Sequence, residues 1–245
     1  MLPLAVKKKS LVLDIDQCML HSFIDEPSDR ILAEGLSVSN LRNRRRMIVA
    51  NVPPRTSSDE RDFCAIKRPY LDDFLRFAAG YFDNIIVWSA GCREYVHELV
   101  VHLFKDHRKP DLVLTHDDVV YRDTDVGYHK PLRVVEDASP GLIDLSWTLF
   151  LDDSVGNFEE NPENGLHIPV FAPDASKPFH SDDKCLLHLM EWLTRVDVKT
   201  CDDVRDLDKS VIFDGCMRGC IRCPKALSNV PTSQHRMLFS PVTWT

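Results

Sequence analysis

No apolar run in the 245-residue chain approaches the roughly 18–20 residues that a bilayer-spanning helix needs, so no membrane segment is expected. A basic excess is missing as well. The 38 Asp and Glu outweigh the 30 Lys and Arg, and a formal net charge of -8 argues against general binding to a phosphate backbone. The opening MLPLAVKKKS carries its charges after a short apolar stretch, the reverse of a secretory signal. Neither HxxxH nor HxH occurs among the ten histidines, and there is no internal repeat or low-complexity tract. These absences point to a soluble, intracellular protein whose eight cysteines are reduced rather than bridged. What is present, 44% hydrophobic and 28% charged residues, can bury a full core, which excludes a disordered chain and a disulfide mini-domain.

The hydrophobic period alternates along the chain. Leu11 to Ile15 suits a strand buried on both faces. Residues 25–62 are polar, with RNRRR at 42–46 and PPRTSSDE at 53–60, and look like an inserted loop or hairpin with Met47 to Val52 as a strand. Leu71, Phe74, Leu75 and Ala78 fall on one helical stripe ending near Gly80. A strand at Asn84 to Trp88 precedes a second helix marked by Val96, Leu99, Val100 and Leu103. Apolar residues resume at Leu112 to Leu114 and Val119 to Tyr121, and strands are predicted at Trp147 to Leu151 and Ile168 to Phe171. A last helix spans Asp182 to Arg195, with Leu186, Leu189, Met190 and Leu193 inward. Such alternation specifies an α/β fold with helices on a mostly parallel sheet, whose ligands bind beyond the carboxyl ends of the strands.

Those ends carry unusual chemistry: Asp14 and Asp16 after the first strand, Ser89 after the second, Asp152 and Asp153 after the one beginning near Trp147. Four carboxylates at one sheet edge repel strongly unless a cation or proton compensates them, and Mg²⁺ is the natural guest of an all-oxygen set. One carboxylate can then attack a phosphoryl group while a neighbour two residues on, facing the same way, exchanges protons with the leaving alcohol. A hydroxyl such as Ser89 can hold a phosphoryl oxygen, and a lysine from elsewhere can neutralise the charge in flight.

LVLDIDQCMLHS at 11–22 resembles motif I of the haloacid dehalogenase (HAD) superfamily, in particular the phosphatases of the RNA polymerase II C-terminal-domain type. The resemblance continues in KRPYLDDFL at 67–75, VWSAGCREY at 87–95, LDDS at 151–154 and NPENGLHIPV at 161–170, and covers roughly residues 10–195. It implies a HAD-like Rossmannoid fold with a small inserted hairpin and no large cap. It further implies that Asp14 forms an aspartyl phosphate and that Asp16 is the general acid and then base. Lys130 in GYHKPL takes the place of the catalytic lysine, although Pro131, Leu132 and Arg133 depart from the family's usual Asp-Leu-Ser, and Lys67 is the alternative. Ser89, Ala90, Gly91 and Arg68 are the expected substrate-binding residues. Mg²⁺ is expected on Asp14, the Asp16 backbone carbonyl and Asp153, with Asp152 in support. Cys18 stands at the usual Thr or Val and Gln17 at the usual Glu, neither of them needed for phosphoryl chemistry.

The resemblance thus implies a Mg²⁺-dependent phosphomonoesterase acting on phosphoserine or phosphothreonine in a protein, with the polymerase C-terminal domain as one such partner and a nuclear or cytoplasmic location. Two rival classes are a non-catalytic phosphoprotein-binding module of the same fold and a phosphatase for nucleic-acid ends or small metabolites. Arg42, Arg44, Arg45 and Arg46 could attract an acidic substrate, although a charge run more often forms a solvated face. Trp88 and Phe74 are expected in the core. Residues 1–195 form the expected phosphatase domain and 196–245 a C-terminal extension or small subdomain. In it Cys216, Cys220 and Cys223 have the spacing of a metal cluster, with His235 or Cys201 as a fourth ligand, but are expected to be free thiols.

Overall fold

The computed structural model describes residues 8–23, 46–52, 61–122, 127–173 and 183–214. The cluster of Cys216, Cys220 and Cys223, and Arg42, Arg44 and Arg45 of the basic run, lie outside these residues.

In chain order the strands are β1 (Ser10–Leu13), β2 (Leu20–Phe23), β3 (Met47–Val52) and β4 (Arg61–Lys67), followed by helix α1 (Leu71–Tyr81), β5 (Asn84–Trp88) and helix α2 (Arg93–Leu103). Then come β6 (Leu112–Leu114), β7 (Val120–Tyr121), β8 (Tyr128–His129), α3 (Arg133–Ala138), β9 (Thr148–Asp152) and β10 (Gly165–His167). Helices α4 (Cys185–Leu193) and α5 (Val196–Thr200) complete the set.

Five strands form one sheet in the order β10-β9-β1-β5-β6, and all its pairings are parallel. The sheet is flanked by helices, which makes this an α/β fold. Why the strands read as continuous apolar runs follows from the register. Leu11 sits beside Ile85 and Leu149, and Leu13 beside Val87 and Leu151; all six face the larger core. Val12, between them, sits beside Ile86 and Phe150, and these three turn to the opposite core with Trp88, Leu132 and Phe158. A strand with period two and a helix layer on each face must be apolar at every position. Each large side chain so buried contributes about 1.5–3 kcal/mol.

The helices bury the stripes that the spacing predicts. Leu71, Phe74, Leu75 and Ala78 are the buried residues of α1, and Val96, Leu99, Val100 and Leu103 are buried on α2 together with Tyr95. On α4 the buried set is Cys185, Leu186, Leu189, Trp192 and Leu193, with Met190 only partly covered. Trp88 and Phe74 are fully buried. Beyond α4, Val198, Val204, Ile212 and Phe213 join the larger core, so the chain from 196 to 214 is packed against the sheet domain.

The strand expected at Ile168 to Phe171 is not one. The last strand of the sheet is β10, and the segment Ile168 to Phe171 just after it is irregular. Pro169 has no N–H to continue a ladder; Ile168 N donates to the Asp152 carbonyl at 3.1 Å and Phe171 N leaves the sheet for the Gln17 carbonyl at 2.7 Å. The residues near Val119 pair not with the main sheet but with β8, as a two-stranded antiparallel ribbon. The insert contributes β3, which pairs antiparallel with β4 beside β2 to give a three-stranded sheet in the order β2-β4-β3. No helix among the described residues is long and apolar enough to cross a membrane.

Candidate active site

Because β1, β5 and β9 are parallel and in register, the residues that follow them emerge at one edge. Asp14 leaves β1 with its N–H still on the Leu151 carbonyl at 3.0 Å, and Ser89 leaves β5 with its N–H on the Leu114 carbonyl at 3.1 Å. The chain then reverses sharply after Asp16. Gln17 adopts the left-handed φ of 60°, and its N–H closes on the Leu20 carbonyl at 2.7 Å. This turn returns the backbone into β2 and leaves Asp14 and Asp16 at the strand end.

Lys130 directly follows β8 and is almost wholly buried. Its ammonium donates to Asp14 Oδ1 at 2.5 Å, to Asp152 Oδ2 at 2.8 Å and to the Trp88 carbonyl at 3.0 Å, which uses its three protons. Burial works to lower the Lys130 pKa, but the charges of Asp14 and Asp152 outweigh it and hold the ammonium well above its ordinary value. Lys67, the alternative lysine, is instead paired with Asp72 at 2.7 Å, at the start of α1.

One cation does not balance the acids around it. Burial, and then the neighbouring Asp152 and Asp153, raise the Asp14 pKa against the pull of Lys130. Burial and the charge of Asp152 raise Asp153 in the same way. Among the described residues, Asp14, Asp152 and Asp153 form a metal-capable group, one oxygen from each lying within 4.8 Å of the others. An all-oxygen, under-compensated set of this kind fits a hard divalent cation such as Mg²⁺. Asp152 is the most heavily engaged of the three: Oδ1 accepts the Ser154 N–H at 2.8 Å, and Oδ2 accepts Asn157 Nδ2 at 2.8 Å besides Lys130.

The side chain of Asp16 lies outside that group. Its Oδ1 accepts from Tyr95 at 2.5 Å and from Ser22 at 3.1 Å, and its Oδ2 accepts from Ser89 at 3.4 Å. Burial raises its pKa, opposed by the hydrogen bonds from Tyr95 and Ser22. Ser89 Oγ also accepts the Gly91 N–H at 3.0 Å, and the Gly91 carbonyl is held by His116 N at 2.9 Å. Ala90 is buried in the same turn.

Arg68 does not join the others. Its guanidinium points inward, with Nε on Asp183 at 3.0 Å, Nη1 on the Cys18 carbonyl at 3.0 Å and Nη2 on the Pro169 carbonyl at 2.7 Å, above the Phe171 ring. It clamps the turn carrying Asp14 and Asp16, and each of its three nitrogens is hydrogen-bonded to protein. Arg46, the described member of the basic run, is likewise tied down, its guanidinium on the Lys67 carbonyl and over Phe171; burial lowers its pKa to about 10.

Three residues of the site carry no assigned role in the sequence reading: Tyr95, Ser22 and Asn157. Tyr95 and Ser22 sit inside blocks that carry the family resemblance, but their helical and strand positions read equally well as packing. Asn157, five residues after Asp152, has no pattern to mark it.

The fold and this strand-end cluster define an α/β phosphatase-type domain. A sequence model of the NLI interacting factor-like phosphatase family matches residues 9–205, and the chain belongs to that family. It is 27% identical over 195 residues to the putative CTD phosphatase-like protein 355R of Invertebrate iridescent virus 3, spanning 76% of this chain and 96% of that protein. To CTD nuclear envelope phosphatase 1B of Danio rerio it is 29% identical over 192 residues, spanning 77% of this chain and 66% of the relative. Fcp1, whose structure is described as that of an essential RNA polymerase II CTD phosphatase, superposes with a TM-score of 0.54 at 18% identity, over 76% of this chain and 50% of its own. At that identity the likeness shows the shared fold, and the chain spans about half the length of Fcp1.

Proposed function

We propose that the protein is a Mg²⁺-dependent phosphomonoesterase that works through an aspartyl phosphate, with phosphoserine or phosphothreonine in a protein as substrate. The observation that carries this reading is the placement of Lys130 between Asp14 and Asp152, beside Asp16 and Ser89 at the carboxyl edge of the sheet.

In the first half-reaction an Asp14 oxygen attacks phosphorus, the bond from phosphorus to the seryl or threonyl oxygen breaks, and Asp16 gives that oxygen its proton. In the second, Asp16 takes a proton from water as the water attacks phosphorus, and the bond to Asp14 breaks. Ser89 and the Gly91 turn hold phosphoryl oxygens, and Lys130 offsets charge on the transferring group while keeping Asp14 aimed. Asp14, Asp153 and the Asp16 backbone carbonyl would hold Mg²⁺, with Asp152 bracing the set. The ion would neutralise the crowded carboxylates and polarise the phosphoryl oxygens.

The protein substrate class is supported by the relatives, whose names are those of CTD phosphatases or CTD phosphatase-like proteins, and by the small β2-β4-β3 sheet beside the site. A polymerase C-terminal domain is one candidate partner, and nuclear or cytoplasmic residence follows the nuclear envelope in a relative's name. The test is turnover of phosphoserine peptides and p-nitrophenyl phosphate with and without Mg²⁺, alongside Asp14→Asn. Activity in Mg²⁺ that is lost on chelation and in Asp14→Asn is expected; full activity in Asp14→Asn would show that another group is the nucleophile.

A further inference from the structure

Tyr95 is buried on the first turns of α2, and its hydroxyl ends against Asp16 rather than against water. Three oxygens meet there: Tyr95 lies 2.5 Å from Asp16 Oδ1 and 2.5 Å from Ser22 Oγ, and Ser22 Oγ is 3.1 Å from the same carboxylate oxygen. The two hydroxyls hold two protons between them. Tyr95 gives its proton to Asp16, and the single Ser22 proton is shared between the same carboxylate oxygen and the Tyr95 hydroxyl, so both hydroxyls converge on Oδ1.

Gly91 makes room for this arrangement. A Cβ at that position would lie 2.6 Å from Cδ1 and 3.1 Å from Cε1 of the Tyr95 ring, and 3.2 Å from Val96 Cγ2. The ring therefore lies directly on the backbone of the Ser-Ala-Gly turn, and any side chain larger than hydrogen would drive it away from Asp16. The glycine is thus explained by the tyrosine, without any demand on its backbone angles.

We propose that Tyr95 is a positioning residue: by holding Oδ1 of Asp16 it fixes the carboxyl so that Oδ2, on the Ser89 side, faces the leaving oxygen, and Gly91 is the residue that admits it. The inference rests on the reading of Asp16 as general acid and base. It adds a third block, the start of α2, to the groups that set the proton-transfer geometry.

The test separates the two claims by leaving group. A phosphoserine peptide needs its seryl oxygen protonated as it departs, whereas p-nitrophenolate leaves without help. In rapid-quench single turnovers of the Mg²⁺-loaded full chain, Tyr95→Phe keeps the ring and is expected to slow phosphoryl transfer from the peptide about thirtyfold, within the range lost when a catalytic group is misaligned. Its p-nitrophenolate burst should change less than about threefold, and its KM for the peptide less than about twofold, because the lost contact acts only on proton transfer. Gly91→Ala, which crowds the Tyr95 ring, should slow the peptide reaction at least as much. Equal slowing on both substrates in Tyr95→Phe, or normal rates on the peptide in either variant, overturns the proposal. Asp16→Asn without any such split would instead overturn the assignment of Asp16, and activity in Asp14→Asn that of the nucleophile.

Discussion

Lys130 Nζ stands 2.5 Å from Asp14 Oδ1, both groups are buried, and the same ammonium reaches Asp152 at 2.8 Å. A buried cation between two acids is structural and chemical at once, because removing it leaves uncompensated charge in a low dielectric. Lys130→Met is therefore expected to lower unfolding free energy by about 3–5 kcal/mol, read from urea denaturation, and to reduce turnover at least a hundredfold at temperatures where it remains folded. A variant as stable as the parent would contradict the bridge.

Arg68 gives the opposite pattern. Its guanidinium serves Asp183 and two main-chain carbonyls, so Arg68→Leu should cost about 3 kcal/mol of stability through unsatisfied buried acceptors while leaving the peptide KM within twofold below the unfolding transition. A tenfold rise in KM with unchanged stability would return Arg68 to the substrate-binding set.

Asn157 acts at one remove, through its 2.8 Å hydrogen bond to Asp152. Asn157→Ala is expected to raise the Mg²⁺ concentration for half-maximal turnover by about 10–100-fold, the usual penalty for losing a group that orients the residues around a metal. Titrating Mg²⁺ against initial rate measures this, and an unshifted curve would mean that Asp152 holds its place without Asn157.

Cys18 sits within the turn that carries Asp14 and Asp16 yet is fully buried, and burial together with the charge of Asp14 raises its thiol pKa well above the usual range. Since the thiolate is the reactive form, Cys18 should resist a brief pulse of iodoacetamide in the native protein and react in urea. Mass spectrometry of the labelled peptides decides it; labelling of Cys18 as fast as the partly exposed Cys92 or Cys201 would show that the turn opens.

The strands Asn84–Trp88 and Leu112–Leu114 and the stripe of α1 are legible in the sequence because each is a run of local periodicity bounded by turn residues. The grouping of Asp14, Asp152 and Asp153 is legible as well, since they end neighbouring parallel strands, whereas the Asp16 side chain turns to Tyr95 and Ser22. The segment from Ile168 was harder: apolar content marks it as buried, but only the position of Pro169 relative to the Asp152 ladder decides that pairing has already ended.

Arg68 and Tyr95 show where sequence reading stops. A charged residue after a strand and an aromatic on a helix are ambiguous by themselves, and their meaning lies in partners far away in the chain: Asp183 is 115 positions from Arg68, and Asp16 is 79 from Tyr95. The sequence by itself determined an alternating α/β chain with acids at its strand ends, because period and composition are local properties. The tertiary structure decided which acid meets the lysine, which meets the tyrosine and which arginine turns inward. Those choices depend on how buried charges and hydroxyls find partners across the core, where every unpaired group is costly.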